Sequence, residues 1–121
     1  MDGIAAYESH VKGQPVVVAG DFNDNPLWDG DYPGPSFASH FDGLREKHGL
    51  VSAYHRFYGE QHGKESRFTL FHQRNRRKAY HIDYVLIPQE GLPKLSSVTV
   101  GEPDDWLEPS DHMPVLVSLE G

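Results

Sequence analysis

The sequence predicts an α/β domain in which helices cover one face of a mixed sheet. Three observations support this class: an amphipathic pattern precedes a short β-branched run, a second amphipathic pattern follows it, and the chain after Gly49 is rich in strand-like segments separated by Pro and Gly. Helix, strand, helix and then mostly strands is the order of a layered α/β domain. A chain of 121 residues fits one such domain.

The first part of the chain has two predicted helices, one strand and one long loop. Apolar residues at helical spacing predict a helix over residues 4–11. The run at residues 16–19, Val-Val-Val-Ala, predicts a strand buried on both faces. The Gly-, Pro- and Asp-rich stretch 20–35 is too long for a simple turn, and loops of that length are often functional. Apolar residues recurring every three or four positions over residues 37–48 predict a second helix that ends at Gly49.

The remainder of the chain is predicted to be mostly strands. Alternating or continuous apolar runs bounded by Pro and Gly mark five segments. These are Leu50–Ala53, Arg67–Phe71, Tyr80–Ile87, Leu95–Val100 and Val115–Leu119.

Composition and charge narrow the class of function. The chain is 37% hydrophobic and 24% charged, as ordinary globular domains are. It has no cysteine, which excludes disulfide frameworks and thiolate metal sites. A net charge of −7 works against a broad electrostatic surface for nucleic acid. The first residues lack the pattern of a signal peptide and no run could span a bilayer, so a cytoplasmic location is the default expectation.

The heptapeptide GDFNDNP directly follows the first predicted strand. Because side chains alternate along a strand, Asp21 and Asn23 are expected on one side and Phe22 in the core. A carboxylate and an amide at a strand end can hold a hard cation or orient a phosphate. A polar turn is the simpler alternative. A calcium loop is a third, but its spacing fails at Pro26 and Tyr32, where Gly and Glu are required.

Asp83, in the segment HIDYVLI, stands near the start of a strand that is otherwise almost entirely apolar. A carboxylate buried there costs several kcal/mol unless it is paired or hydrogen-bonded. One explanation is a salt bridge to the basic run at residues 74–78. The other is pairing with a histidine, which would fix the tautomer of that ring and raise its basicity.

The last polar cluster, Ser110-Asp111-His112, leads into the final predicted strand. Adjacent side chains cannot point in one direction, so Asp111 and His112 are expected to face different partners, one a metal and the other a substrate. A loop without function is the alternative for this dipeptide taken alone.

The three clusters in this order resemble the endonuclease/exonuclease/phosphatase superfamily. The resemblance implies the C-terminal half of a four-layer α/β/β/α sandwich over residues 1–121, and metal-dependent hydrolysis of phosphate esters. Asp21 would position the attacking water and touch the metal, Asn23 would bond the scissile phosphate, and Asp83 would orient the catalytic His112. Asp111 would bind Mg²⁺ or Mn²⁺.

Several partners and alternatives follow from the same resemblance. The missing N-terminal half would supply further metal ligands, so the chain alone is expected to be inactive or weakly active. A non-catalytic remnant or interaction module is the alternative. Arg76 and Arg77 are candidate contacts for a substrate phosphate, or part of a solvated loop. The substrate is left open among nucleic acid, phospholipid, inositol phosphate and nucleotide.

Two further expectations concern surfaces and histidines. Without its other half, the inner sheet face would expose apolar residues, and a two-fold homodimer could cover that face. The eight histidines show no repeated metal-ligand spacing, so most are interpreted as ordinary surface or core residues.

Overall fold

The computed structural model describes residues 16–22, 24–28 and 36–120. The helix predicted over residues 4–11, Asn23 and the second part of the long loop lie outside the described residues. The elements in chain order are β1 (Val18–Asp21), α1 (Phe37–His48), β2 (Leu50–Ser52), α2 (Ala53–Tyr58), β3 (Leu70–Phe71), β4 (Ala79–Tyr80), β5 (Asp83–Pro88), β6 (Leu95–Val100), α3 (Pro103–Trp106) and β7 (Val115–Leu119). Short 3₁₀ turns lie at Pro26–Trp28, His72–Arg74 and Gln89–Lys94.

The described strands form one three-stranded sheet and two strand pairs. The larger sheet has the order β1-β5-β2, and β3 pairs with β4 and β6 with β7. The predicted α/β class is confirmed. The sequence predicts a mixed sheet, whereas every strand pair among the described residues is antiparallel.

Helix α1 has the bounds predicted from its apolar spacing. The side chain of Ser36 accepts a hydrogen bond from the N–H of Ser39 and so satisfies one of the free donors at the helix start. Gly49 ends the helix with φ of 65°, in the left-handed region that glycine enters without steric cost. Local capping chemistry therefore fixes both ends.

Helix α2 corrects the prediction that the chain after Gly49 is mostly strand. Of the strand predicted over Leu50–Ala53, only Leu50–Ser52 is extended, and Ala53 begins the helix. Ser52 caps the helix through its side chain, and Gly59 ends it with φ of 66°. The aromatic-rich sequence of this segment is typical of strands, but the two caps select a helix.

The segment predicted as one strand over residues 80–87 is divided in two. Its first residue belongs to β4, the chain then turns at His81 and Ile82, and β5 begins at Asp83. The break sends β4 and β5 into different sheets and makes Asp83 the first residue of its strand. The strand predicted over residues 67–71 is likewise reduced to β3.

The core consists of two clusters of buried apolar side chains. One lies between α2, β5 and the β6–β7 pair, and the other between α1, β2 and β5. Their fully buried members include Ala53, Tyr54, Ile87 and Val98 in the first, and Phe37, Tyr84 and Leu86 in the second.

Burial at β1 differs from the prediction. The strand predicted at residues 16–19 was expected to be buried on both faces, and this is wrong, because β1 is an edge strand whose Ala19 is exposed. Val17 just before it is 55% exposed, and Leu116 on β7 is 57% exposed. The expected exposure of apolar strand residues is thus found at β1 and β7, whereas Leu86 in β5 is fully buried.

None of the helices in the described ranges has the length and apolar character needed to cross a membrane.

Candidate active site

Two carboxylates face each other where β1 and β5 pair. Asp21 is the last residue of β1 and Asp83 the first of β5, and the antiparallel register places them directly opposite. Opposed residues project from the same face of a sheet, so both side chains lie on one surface. Like charges in this position destabilise a sheet. Folding alone therefore gives no reason for this pair.

The imidazole of His112 lies between the two carboxylates. Its Nδ1 is 2.9 Å from Asp83 Oδ2, and its Nε2 is 3.9 Å from Asp21 Oδ2. The hydrogen bond predicted between Asp83 and His112 is thus present, and a histidine rather than the basic run is the partner of this carboxylate. With Nδ1–H donated to Asp83, Nε2 can accept a proton, or donate one when the ring is charged.

The pKa of His112 is raised above its ordinary value. Partial burial alone would lower the pKa, but the hydrogen bond to Asp83 and the charges of Asp83, Asp21 and Asp111 outweigh that effect. The neighbouring carboxylates therefore stabilise the protonated form of the imidazole.

Thr69, which directly precedes β3, holds both parts of this arrangement, and no pattern in the sequence distinguishes it. It is fully buried. Its hydroxyl oxygen accepts hydrogen bonds from the N–H groups of Ile82 and Asp83, at 3.0 and 3.1 Å. Its carbonyl accepts a 2.7 Å hydrogen bond from the N–H of Met113. Thr69 thus ties the start of β5 to the segment that carries His112.

Tyr84 and Asn25 anchor the loop that follows Asp21. The Tyr84 hydroxyl lies 2.8 Å from the carbonyl oxygen of Asp24 and 2.9 Å from that of His81. The buried Asn25 side chain donates to the same His81 carbonyl at 2.9 Å. These contacts fix the loop relative to the strand that carries Asp83, and they assign both side chains a structural role.

Phe22 occupies the position predicted for it. Its ring packs against Phe41 and Tyr84, on the side of the strand away from Asp21. An open groove lies on the Asp21 side. It is lined by Ala19, Gly20, Asp21, Asp83, Tyr84, Val85, Met113 and Val115.

Asp111 and Asn23 are two further residues that the sequence predicts for the site. Asp111 is next to His112, and its carbonyl accepts a 2.8 Å hydrogen bond from Phe71 N–H. Among the described residues, the group at this site that could hold a metal ion consists of Asp21, Asp83 and His112, whose ligand atoms lie within 4.8 Å of one another. Asp111 is outside that group. Asn23 lies outside the described residues.

The two arginines proposed to bind substrate are exposed. Arg76 pairs with Asp104 on α3 at 2.7 Å, and the backbone N–H of Arg77 donates to the side chain of Asn75. A protein carboxylate is thus the observed partner of Arg76, and a contact of either arginine with substrate stays a prediction.

Replacing Asp83 with Asn is expected to lower the pKa of His112, because the replacement keeps a hydrogen-bond acceptor but removes the charge beside the ring. Imidazole chemical shifts followed by NMR against pH would measure it. Stability from the raised pKa is fully present below the ordinary histidine value of about 6.5 and is lost as pH rises through the folded value. Glu46→Gln, an exposed change on α1, is the control. An unchanged His112 pKa in Asp83→Asn would contradict the pairing.

Comparison with known proteins gives a family and a fold. The profile of the Endonuclease/Exonuclease/phosphatase family matches residues 2–112. One similar solved structure is the 3′ phosphatase NExo from Neisseria bound to a product DNA hairpin, with 23% identity and a TM-score of 0.69. The match covers 96% of this chain and 49% of that one, so the chain spans about half the length of this neighbour. A search of curated proteins finds no significant match. The chain belongs to the endonuclease/exonuclease/phosphatase family.

Proposed function

We propose that the protein hydrolyses phosphate esters with the help of a divalent cation, and that this chain carries part of the active site. The observation that supports this most is the opposed pair Asp21 and Asp83 with His112 between them, beside an open groove. Two like charges placed opposite each other on paired strands are unfavourable by themselves, and with His112 between them they are suited to positioning water and a phosphate. Family membership agrees with this chemistry.

Each side chain has a role in the proposed reaction. Asp83 holds the His112 ring through Nδ1–H. The protonated ring donates from Nε2 to a phosphoryl oxygen, where negative charge grows in the transition state. Asp21, which is 40% exposed at its side chain, orients the attacking water and accepts its proton. Asn23 is proposed as a further donor to the phosphate.

The residues present suit a hard cation. The carboxylates of Asp21 and Asp111 are oxygen donors of the kind that Mg²⁺ and Mn²⁺ prefer, whereas the Asp83 oxygen nearest His112 is already hydrogen-bonded. When bound, the cation would neutralise phosphoryl oxygens and polarise the water. Two carboxylates are few for such an ion, so binding to this chain is expected to need millimolar Mg²⁺.

We further propose that residues 1–121 form one half of a sandwich domain. The solved neighbour is matched over 49% of its length, and apolar side chains at β1 and β7 are uncovered. The other half of a family domain would cover them and add metal ligands. For the chain alone, a homodimer through the same face is the corresponding prediction, and sedimentation equilibrium at tens of micromolar would show it.

The substrate class can be tested with three kinds of phosphate ester. The neighbour is a 3′ phosphatase bound to a DNA hairpin, so a hairpin bearing a 3′-phosphate is the first nucleic acid to assay. The net charge of −7 favours smaller phosphate esters over long nucleic acids. A simple phosphodiester and a simple phosphomonoester with a chromogenic leaving group complete the panel.

Activity is expected from this chain joined to the N-terminal half of a family member, with Mg²⁺ or Mn²⁺, and little from the chain alone. Asp21→Asn should abolish it, whereas Glu46→Gln on α1 should not. Equal turnover in the wild-type and Asp21→Asn proteins would reject the assignment. No turnover in any properly folded form would favour the non-catalytic module instead.

A further inference from the structure

A second polar cluster lies in the interior, beneath the loop that follows Asp21. It contains His55 from α2, and His62 and Glu65 from the segment between α2 and β3. His55 is 6% exposed and Glu65 is 8% exposed. The three side chains offer ligand atoms within 4.8 Å of one another. The proposed hydrolysis uses none of them.

The contacts of His55 are those of a metal-ligating histidine. Its Nδ1 lies 2.6 Å from the hydroxyl oxygen of Ser52, and its Nε2 lies 2.7 Å from Glu65 Oε2. A hydroxyl can donate or accept, so Ser52 serves either tautomer of the ring. With Nδ1–H donated to Ser52, an ion could take the place of the proton that Nε2 shares with Glu65, so that both side chains would become its ligands.

Two buried imidazole nitrogens in the same region lack a hydrogen-bond partner within the described residues. They are Nδ1 of His62 and Nε2 of His81. His81 is 1% exposed, and its Nδ1 lies 2.9 Å from the carbonyl oxygen of Arg67, to which it can only donate. Its Nε2 therefore carries a lone pair in the interior. Buried polar atoms usually have a partner, which at this position would be an ordered water or an ion.

We propose that His55, His62 and Glu65 bind one Zn²⁺ ion, separate from the hydrolytic site. Two imidazoles and a carboxylate match the borderline-soft character of zinc, whereas Mg²⁺ prefers oxygen ligands throughout. With bonds of about 2.0 to 2.1 Å, tetrahedral ligand atoms lie about 3.3 Å apart, so the cluster must contract on binding. The His62 ring, stacked at 3.7 Å on His55, would turn out of that stack. His81 Nε2 is the candidate for the fourth ligand.

The position of this site suggests a bracing role. Asn25 donates to Glu65 Oε1 at 3.4 Å and to the carbonyl of His81 at 2.9 Å. Asn25 therefore connects the loop after Asp21 and the residues before Asp83 to the cluster. An ion there would hold the two proposed catalytic carboxylates in register without touching substrate.

Titration of the chelator-treated 121-residue chain with Co²⁺, a spectroscopic substitute for zinc, tests the proposal. One ion per chain is expected, with the visible bands of a tetrahedral site, and Zn²⁺ should displace it. His62→Gln should weaken binding at least about 100-fold. His72→Gln, an exposed histidine, should leave binding unchanged. His62 is the preferred position because its side chain makes ring contacts rather than the buried ion pair, and circular dichroism would confirm that the variant is folded.

A second variant separates this site from the groove. His112→Gln should keep the Co²⁺ bands, since that residue belongs to the hydrolytic site. Absence of stoichiometric binding, or binding equally tight in His62→Gln, would overturn the proposal. Binding lost in His112→Gln but kept in His62→Gln would place the ion in the groove and overturn it as well.

Discussion

In the chain joined to the N-terminal half of a family member, replacing His112 with Gln is expected to lower kcat for phosphate-ester hydrolysis by about 10²- to 10⁴-fold. This is the range that a positioned acid or base contributes. Gln can fill part of the space and donate a neutral hydrogen bond. It cannot carry the positive charge that Asp21, Asp83 and Asp111 stabilise on the imidazole. The loss should fall on kcat more than on KM, because that charge matters most as the phosphoryl oxygens gain negative charge.

The pH profile distinguishes this role from a structural one. The wild-type profile should contain an ionisation above the ordinary histidine pKa of about 6.5, with activity falling as pH rises through it if the charged ring is the donor. His112→Gln should lack that step, and His48→Gln on α1 should keep it. If His112→Gln loses activity but its pH profile keeps this ionisation, the ionisation belongs to another group.

Much of this site could be predicted because its residues stand beside short sequence patterns that mark the ends of strands. Asp21, Asp83 and His112 each stand at or near the end of a strand, and a carboxylate at the start of an apolar strand requires a partner. Which histidine supplied the partner could not be derived from spacing; the family resemblance indicated it. Thr69 escaped notice because it falls within the strand predicted over residues 67–71, where a threonine is an ordinary residue, whereas in the structure it lies just before β3.

The buried histidine cluster was missed for a different reason. His55, His62 and Glu65 are close in the sequence, but their spacing matches no short metal-binding motif, and only the folded segment after α2 brings their ligand atoms together. His81 is distant in the sequence and joins them only when α2 packs beside β5, with its ring centroid 5.3 Å from that of His55. The interpretation of most histidines as ordinary surface or core residues stays a prediction: His72 is exposed, and His55, His62 and His81 are packed together in the interior.

Helix α2 shows how local capping can override composition. Its six residues include three aromatic side chains, which favour strands. The strand predicted over Leu50–Ala53 covers only the first residue of the helix, and no element was predicted for the other five. Ser52 and Gly59 supplied the opposite signal, a cap at each end, but a helix of this length is shorter than sequence periodicity can establish. The consequence is functional, because α2 brings His55 under the loop that follows Asp21.

Glu65→Ala is expected to reduce the free energy of unfolding by about 3 kcal/mol or more, because each buried donor left without its acceptor costs about 1–3 kcal/mol. Glu65 accepts from His55 at 2.7 Å, and its other oxygen accepts from Gly63 N–H at 3.1 Å and from Asn25. Alanine would leave all three donors in the interior without this acceptor. Urea unfolding in the presence of a chelator measures the change without any contribution from a bound ion.

Glu65→Gln is the matched comparison, since it keeps the shape and one acceptor oxygen but not the charge. The pKa of Glu65 is lowered from its ordinary value of 4.5 to about 2, so its ionised form adds about 3 kcal/mol of stability at neutral pH. Because the folded pKa is the lower one, that contribution is present above 4.5 and is lost as pH falls toward 2. The stability gap between the wild-type and Glu65→Gln proteins should therefore narrow over the same range. A gap that stays constant between pH 5 and pH 2, or a loss below about 1 kcal/mol in Glu65→Ala, would show that this carboxylate is not the buried anion on which the cluster depends.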